Sequence, residues 1–260
     1  MIPKKIHYCW FGGNPLPELA QKCIESWRKF CPEYEIIEWN ESNFDIVRFT
    51  YAKEAYDAKK WAFVSDVARL YALVTCGGIY MDTDVELLKP IDELLKYEAI
   101  SGFEPKEQIS TGLIGCRKEF PLFTELLADY DNRHFVDAEG NYDLTTNVKT
   151  ITDICLKNGL ILNNQKQTIE GFTLFPADYF CPKDYLTGKL NITENTYAIH
   201  HFDGSWLSEE ERCFFSLSAK LSKIFPDQSS CYIAKFVSIC KYKGISAALK
   251  ELLMFVKKSK

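Results

Sequence analysis

Asp82 and Asp84 stand two positions apart at the end of the stretch Gly77-Gly78-Ile79-Tyr80-Met81-Asp82-Thr83-Asp84-Val85. The two glycines end one element, three apolar residues then read as a strand, and the acids close it. Alternate side chains on a strand share a face, so both carboxylates point one way, with Cβ atoms roughly 6–7 Å apart. A divalent cation bound there, directly or through water, can hold a diphosphate between metal and protein. That is the chemistry of a sugar-nucleotide site. Two solvated acids at a strand end would look the same in isolation. The apolar lead-in and the tight Gly-Gly turn favour a site, because ligands gather at the carboxyl ends of strands in open α/β sheets.

Three other groups could share that chemistry. Asp66 and Arg69 are i, i+3 neighbours on one face of a helix, Trp61 to Tyr71, that is otherwise apolar apart from Ser65. An intrahelical ion pair is the plain reading. Charges among so many apolar neighbours still need partners, and a ribose hydroxyl and a phosphate would serve. Trp10 ends the first strand just before Gly12-Gly13, where its indole either packs in the core or stacks on a nucleobase. Finally, His200-His201-Phe202-Asp203-Gly204-Ser205-Trp206 follows the last strand, and the chain has only four histidines to place. A neutral imidazole is a ligand for manganese-type ions. Ser205 and the Trp206 N–H could bond phosphate oxygens. An ordinary turn carrying two histidines is the alternative.

The elements that must position these residues are legible in outline. Ile6 to Phe11 reads as a buried strand, Pro17 to Phe30 as an amphipathic helix, and Tyr34 to Trp39 as a second strand. Strand, helix, strand at this spacing predicts a parallel opening to the sheet. Lys53 to Cys76 reads as one or two helices, with Ser65 either capping the second or lying inside a longer one. A short helix is expected at Ile91 to Lys96, and strands at Ala99 to Phe103 and Gly112 to Cys116. Pro121 to Tyr130 and Val148 to Asn158 read as helices, with a polar loop over 131–147 between them. Late strands are expected at Gly171 to Phe175 and Tyr197 to Phe202, and helix from Glu209 onward.

A length of 260 residues, 47% hydrophobic and 14% aromatic, supports one α/β domain with additions. No apolar run reaches the roughly 20 residues that span a membrane. The amino terminus enters a strand at once without a signal-like apolar region, so a cytoplasmic location is expected. Ten scattered cysteines without a C-x-x-C pair read as reduced thiols. Net charge is −5, yet residues 211–260 hold ten Lys/Arg against three Asp/Glu. That basic tail implies a partner of its own.

Together these segments resemble family 32 of the retaining glycosyltransferases, the sugar-binding group with a D-x-D motif, and more distantly the core of the clostridial glucosylating toxins. The resemblance rests on Ile2 to Trp10, Ser65 to Arg69, Gly77 to Asp84 and His201 to Trp206, in that order. It covers 1–100 well, 197–207 in outline, and the rest loosely. It implies a GT-A fold: an α/β, Rossmann-like mixed sheet flanked by helices. The chain would then comprise a catalytic domain over 1–208 and a basic amphipathic helical tail over 209–260. The resemblance further implies a nucleotide-sugar donor and a manganese or magnesium ion. By it, Trp10 stacks on the base, while Ser65, Asp66 and Arg69 hold ribose, sugar hydroxyls or phosphate. Tyr80 lines the donor site. Asp82 reaches ribose and metal, Asp84 and His201 bind metal, and Ser205 and Trp206 hold the diphosphate. His200 is set aside as ligand, since adjacent strand residues point opposite ways.

The expected reaction is metal-dependent transfer of a hexose to an acceptor with retained configuration, catalysed around Asp66, Arg69, Asp82 and Asp84. The bacterial members resembled make UDP-galactose or another UDP-hexose the expected donor, with GDP-mannose open, and surface polysaccharide synthesis the expected setting. The acceptor is a glycan or lipid-linked glycan. Ser110 to Leu113 and Thr145 to Asn147 read as ordinary loops, with lining the acceptor pocket as the lesser alternative. Phe214, Phe215, Leu217, Leu221, Ile224, Phe225, Phe236, Val237, Ile239, Leu249, Leu252, Leu253, Phe255 and Val256 alternate with lysines, as in helices that lie on anionic membranes. Peripheral contact at the inner face of the plasma membrane is one reading, and a helical subdomain packed on the core or on a dimer partner, with its lysines solvated, is the other. No nucleic-acid partner is expected. Two rivals are a haloacid dehalogenase-like phosphotransferase and a non-catalytic nucleotide-sugar-binding module. The first wants its D-x-D near the amino terminus and a later G-D-x-x-x-D, and the chain offers neither.

Overall fold

The computed structural model describes residues 1–104, 108–204 and 207–250. Ser205, Trp206, Leu252, Leu253, Phe255 and Val256, singled out above, lie outside the described residues. The chain forms two compact units: Met1–Pro182 with Asn191–His201, and Lys183–Leu190 with Phe202–Lys260. The boundary read from sequence at 208/209 thus differs from the division in space, which leaves the chain at His201 and draws in a loop from 183 to 190.

In the first unit the elements run β1 (Lys5–Cys9), α1 (Glu18–Phe30), β2 (Glu35–Trp39), α2 (Thr50–Asp57), α3 (Trp61–Cys76), β3 (Gly78–Met81) and β4 (Val85–Leu87). They continue as β5 (Ala99–Glu104), β6 (Gln108–Ile109), β7 (Leu113–Cys116), α4 (Pro121–Asp129), α5 (Asn147–Lys157), β8 (Gln167–Ile169), β9 (Phe172–Phe175), α6 (Ala177–Phe180) and β10 (Ala198–His200). The main sheet has the order β2-β1-β3-β7-β5-β9-β8, with β6 beside β5. Its opening β1–β2 and β1–β3 pairs are parallel, as the strand–helix–strand spacing predicts. β7 runs antiparallel to both β3 and β5, so the sheet is mixed. β4 and β10 leave it to form a separate antiparallel pair.

α3 is the central helix. Val64, Val67, Ala68, Leu70, Ala72 and Leu73 are fully buried, so it is apolar nearly all round, as a helix enclosed in a core must be. Ser65 lies inside it and does not cap it. The helix stops at Gly77, whose φ of +63° suits a residue without Cβ. A Cβ at Gly77 would sit 2.6 Å from the Lys118 amide nitrogen, and one at Gly78 would sit 2.8 Å from the Lys5 carbonyl. The glycine pair therefore lets β3 enter beside β1 at close range. His7 secures that junction. Its Nδ1 lies 3.1 Å from the donating Trp39 indole, which leaves Nε2–H to donate to the Gly77 carbonyl at 2.8 Å. Burial holds this ring below the usual histidine range, so it is a neutral structural tie.

α1 packs against β4. It buries Ala20, Cys23, Ile24 and Trp27. The Trp27 indole donates to the Val85 carbonyl at 2.7 Å, and the Ser26 hydroxyl accepts from the Leu87 amide at 2.9 Å. Both bonds pin β4, a three-residue strand that the apolar pattern alone does not announce. β8 is equally short and equally silent in the sequence. All ten cysteines are free thiols.

The second unit contains α7 (Glu209–Leu221) and α8 (Asp227–Lys243). α7 begins with a capping box in which Ser208 and Glu211 satisfy each other's backbone amides. The 183–190 loop joins this unit because the Ser222 hydroxyl donates to the Thr187 carbonyl at 3.0 Å and Lys189 pairs with Asp227 at 2.9 Å. Ile224, Phe225, Tyr232, Ile233, Val237, Ile245 and Leu249 are exposed there.

Candidate active site

The two acids of the D-x-D do not share a strand. β3 ends at Met81, and the Val85 amide donates to the Asp82 carbonyl at 3.0 Å, closing a turn over Asp82, Thr83 and Asp84. The alternation argument therefore fails, while its result survives by another route: the turn gathers both carboxylates. The Asp82 amide is itself held by the Gly112 carbonyl at 2.8 Å. Behind the turn the chain becomes β4, whose register with β10 pairs Val85 with His200 and Glu86 with Ile199.

That register decides which histidine meets the acids. Asp82, Asp84 and His200 each offer a ligand atom within 4.8 Å of the others. His200 Nε2 lies 3.3 Å from the Asp84 carboxylate. His201 turns away, with Nε2 2.8 Å from the carboxylate of Glu86, which Lys22 also pairs. Alternation along the strand does separate the two rings, as expected, but it brings His200 into the group and sends His201 to Glu86. Burial pulls the His200 ring toward its neutral form, yet the adjoining Asp84 carboxylate outweighs it and holds the ring's pKa well above the usual range. The ring fits against Gly112, where a Cβ would come within 2.7 Å of it.

Two carboxylate oxygens and an imidazole nitrogen form a donor set suited to manganese- or magnesium-type ions. The chemistry of the residues present fits such an ion.

Beneath the acids lies a buried polar chain. Arg69 Nη2 is 3.4 Å from Asp66 and 3.3 Å from Asp82, its Nη1 donates to the Thr111 carbonyl at 3.0 Å, and Nε reaches the Ser65 carbonyl at 3.4 Å. The guanidinium lies 4.5 Å from the Tyr80 ring centre. Burial works against its charge, but Tyr80, Asp82 and Asp66 together keep it firmly protonated. The Tyr80 hydroxyl donates to Asp82 at 2.8 Å. Asp66 is bonded by the Asn147 amide at 3.3 Å, while the Asn147 side chain donates to the Asp66 carbonyl at 2.7 Å and accepts from Tyr130 at 2.9 Å. Burial raises the Asp66 carboxyl to about 6, against the pull of Arg69 and the Asn147 amide.

The partners that Asp66 and Arg69 were expected to find in ribose and phosphate are thus supplied largely by the protein. Asn147 and Thr111, read from sequence mainly as loop residues, serve the site through its supports. Tyr130 gave no sequence signal, because one hydroxyl bond to Asn147 leaves no pattern of residue types, and Gly112, read as part of a loop and the start of a strand, gave no sign that it packs on an imidazole.

The first strand ends at the same place. Burial pushes the Cys9 thiol's pKa up, against the pull of the Arg69 charge, and Trp10 is the next residue. The Trp10 indole donates to the Asn14 carbonyl at 2.6 Å. Just beyond, Gly12, Asn14, Tyr56, Asp57, Lys59 and Trp61 line an open cavity of about 530 Å³. Trp61 and Tyr56, in edge contact at 4.9 Å, add two aromatic walls that sequence reasoning did not assign.

Known proteins match part of this chain in sequence. Residues 17–101 match the family described as glycosyltransferase sugar-binding region containing DXD motif. Inositol phosphoceramide mannosyltransferase 3 of Schizosaccharomyces pombe is 31% identical over 146 residues, covering 52% of this chain and 40% of that protein. Mannosyl phosphorylinositol ceramide synthase CSH1 of Saccharomyces cerevisiae is 29% identical over 139 residues, covering 49% of this chain and 35% of its own. The chain thus spans about two fifths or less of the length of these curated relatives, which are fungal. Among solved structures, the PaToxG glycosyltransferase aligns with a TM-score of 0.42 at 20% identity, covering 49% of this chain and 59% of that one. The stretch from the first helix through the paired acids to the start of β5 therefore matches the glycosyltransferase sugar-binding region of the D-x-D kind.

Proposed function

We propose that this protein is a retaining glycosyltransferase that moves a hexose from a nucleoside diphosphate sugar to a glycan or lipid-linked acceptor, with a divalent ion held by Asp82, Asp84 and a histidine of the His200-His201 pair. The observation that carries this reading is the convergence of Asp82, Asp84 and His200 on one spot, in a chain whose D-x-D region matches glycosyltransferases. When bound, manganese or magnesium neutralises the charge that grows on the departing diphosphate. The bond from anomeric carbon to diphosphate oxygen breaks with its electron pair on the phosphate, the acceptor oxygen bonds the same face, and its proton passes to the diphosphate.

The chain's own residues orient and support. Arg69 fixes Asp82 from below, and Asp66 fixes Arg69. Tyr80 donates to Asp82 and leaves its other oxygen free to serve the metal. Trp10 stacks on the base beside the aromatic walls of Trp61 and Tyr56, with Ser65 toward the ribose. Ser205 and Trp206 remain proposed diphosphate contacts.

Calorimetric titration of UDP and GDP into the protein, with and without Mn²⁺, tests the donor site. Ion-dependent binding of one of them is expected, and ion-independent or absent binding of both refutes the assignment. Because a ligating histidine must be neutral, the proton held on His200 by Asp84 competes with the ion. Mn²⁺ affinity should therefore rise with pH through and above the normal histidine range, and a flat profile would count against a histidine ligand. His200→Ala should weaken Mn²⁺ binding by roughly 10-fold or more, as loss of a donor does, and His201→Ala by less; the reverse ranking restores His201 as ligand.

The names of the fungal relatives point to mannose and to a ceramide-borne acceptor, so GDP-mannose belongs in the donor screen beside UDP-galactose and UDP-glucose. Surface polysaccharide synthesis at the cytoplasmic face of a membrane is the setting we favour. Exposed Ile224, Phe225, Ile233, Val237 and Ile245 interleave with Lys223, Lys235, Lys241 and Lys243, a surface that fits anionic lipid. Among the described residues no helix is long and apolar enough to cross a membrane. Full-length protein should co-sediment with phosphatidylserine vesicles and a 1–210 truncation should not; equal partition of the two removes the lipid contact.

A further inference from the structure

The segment between α2 and α3 brings two opposite charges to the open cavity beyond Trp10. Asp57 and Lys59 line it together with Gly12, Asn14, Tyr56 and Trp61. α2 ends in a Schellman turn: the Lys60 amide donates to the Ala55 carbonyl at 2.8 Å, and the Lys59 amide to the Tyr56 carbonyl at 2.9 Å. Such a turn puts the residue past the cap in the left-handed region, where glycine is the usual occupant. Here that residue is Lys59, with a φ of +56°. A lysine held where glycine fits more easily is backbone strain, and strain of this kind collects at ligand sites. Lys59 forms no ion pair among the described residues. Asp57 pairs with Lys53, whose ammonium lies 2.6 and 2.5 Å from the two carboxylate oxygens. Each oxygen keeps a second lone pair for a further donor.

The aromatic walls are fixed as well. The Glu41 carboxylate accepts from the Gly12 amide at 2.7 Å and from the Tyr56 hydroxyl at 3.1 Å. A Cβ at Gly12 would come within 2.8 Å of the Trp61 indole, so only glycine lets the first-strand turn close on that ring. Trp61, Ser65 and Arg69 follow at four-residue steps on α3, a rise of about 12 Å from the cavity to the arginine that touches Asp82. An extended nucleoside diphosphate bridges a gap of that order, with its base in the cavity and its phosphates at the acids.

A base seated there meets a carboxylate and an ammonium two residues apart. Guanine offers a carboxylate two adjacent donors, N1–H and the 2-amino group, and offers an ammonium the O6 and N7 acceptors. Uracil has a single N–H between two carbonyl oxygens, so the second carboxylate oxygen would face a lone pair. We propose that the donor of this site is a guanosine diphosphate sugar, with Asp57 reading N1–H and the 2-amino group and Lys59 reading O6. This rests on the donor-site reading given under the proposed function and names its base.

Calorimetric titration of GDP, UDP and xanthosine diphosphate, each with Mn²⁺, into wild type, Asp57→Asn and Lys59→Gly tests the inference. Wild type should bind GDP about 10-fold or more tightly than UDP, the discrimination carried by one bidentate contact. Asp57→Asn should lose about 10-fold for GDP, keep UDP within about twofold, and gain for xanthosine diphosphate, whose 2-oxo group accepts from the new amide. Lys59→Gly should weaken GDP binding while the melting temperature holds or rises, because glycine relieves the turn. UDP binding as tight as GDP binding in wild type overturns the guanine reading and leaves the donor site standing. So does either variant that binds GDP like wild type, or an Asp57→Asn protein that weakens all three nucleotides alike. A wild-type protein that binds neither GDP nor UDP with Mn²⁺ overturns the donor site itself, and this inference with it.

Discussion

Asp84→Ala is expected to abolish Mn²⁺-supported nucleotide binding and to lower donor turnover by at least about 100-fold at saturating ion. The side chain is two residues from Asp82 yet contributes differently. Asp82 is held by Tyr80 and Arg69, whereas Asp84 faces His200. Removing Asp84 strips the group of one oxygen donor and of the charge that pairs the imidazole. The fold should be little affected, because the turn is closed by backbone bonds and β4 is pinned through Trp27 and Ser26. Calorimetry for Mn²⁺ and UDP or GDP, alongside a melting curve, checks both halves. Near-normal turnover in Asp84→Ala would sink the ion role.

Arg69→Met is expected to act on stability first. The guanidinium is 8% exposed and answers two carboxylates and two carbonyls. Without it Asp66 and Asp82 face each other unshielded, a change that costs about 3–5 kcal/mol for a buried pair that loses one partner. In a chain of this length that lowers Tm by on the order of 10 °C. Lys is a poor substitute, since one ammonium cannot fork between Asp66, Asp82 and the Thr111 carbonyl. Asp66 supplies a pH signature. Its folded carboxyl titrates near 6, above the unfolded value of about 3.9, so the folded state holds the proton more tightly. Stability from this group is therefore greatest at low pH and declines as pH rises through that window. Asp66→Asn should flatten that decline in a series of melts from pH 4 to 7. An Arg69→Met protein that melts like wild type would show that the network carries no stability.

Much of this site was legible because its parts are short-range. Gly77-Gly78 before an apolar triplet and two acids fixes a strand and a turn within nine residues, and Asp66 with Arg69 fixes a helix face. The apolar spacing of α1 and the β1–α1–β2 order gave the parallel start of the sheet. What stayed hidden depends on contacts far along the chain. The choice between His200 and His201 follows from pairing with β4, over a hundred residues earlier, and β4 is too short to show a period. Arg69's carbonyl partners are independent of residue type, so Thr111 could be any residue that carries the same backbone. The division at His201 follows from Ser222 and Lys189 reaching a loop at 183–190, and composition is blind to such a bond.

The doubled histidine acquires a meaning from the β4–β10 ladder. Only three residue pairs and two flanking bonds, Leu88 to Tyr197 and His201 to Asp84, set its register. Such a brief ribbon can shift by a single step over evolution, and a shift of one residue exchanges the faces of every side chain on it. Here a slip toward the carboxyl end of β10 would put His201 where His200 had been. The opposite slip would bring Ile199 there instead, so the doubled histidine keeps an imidazole beside the acids for a register change in one direction only.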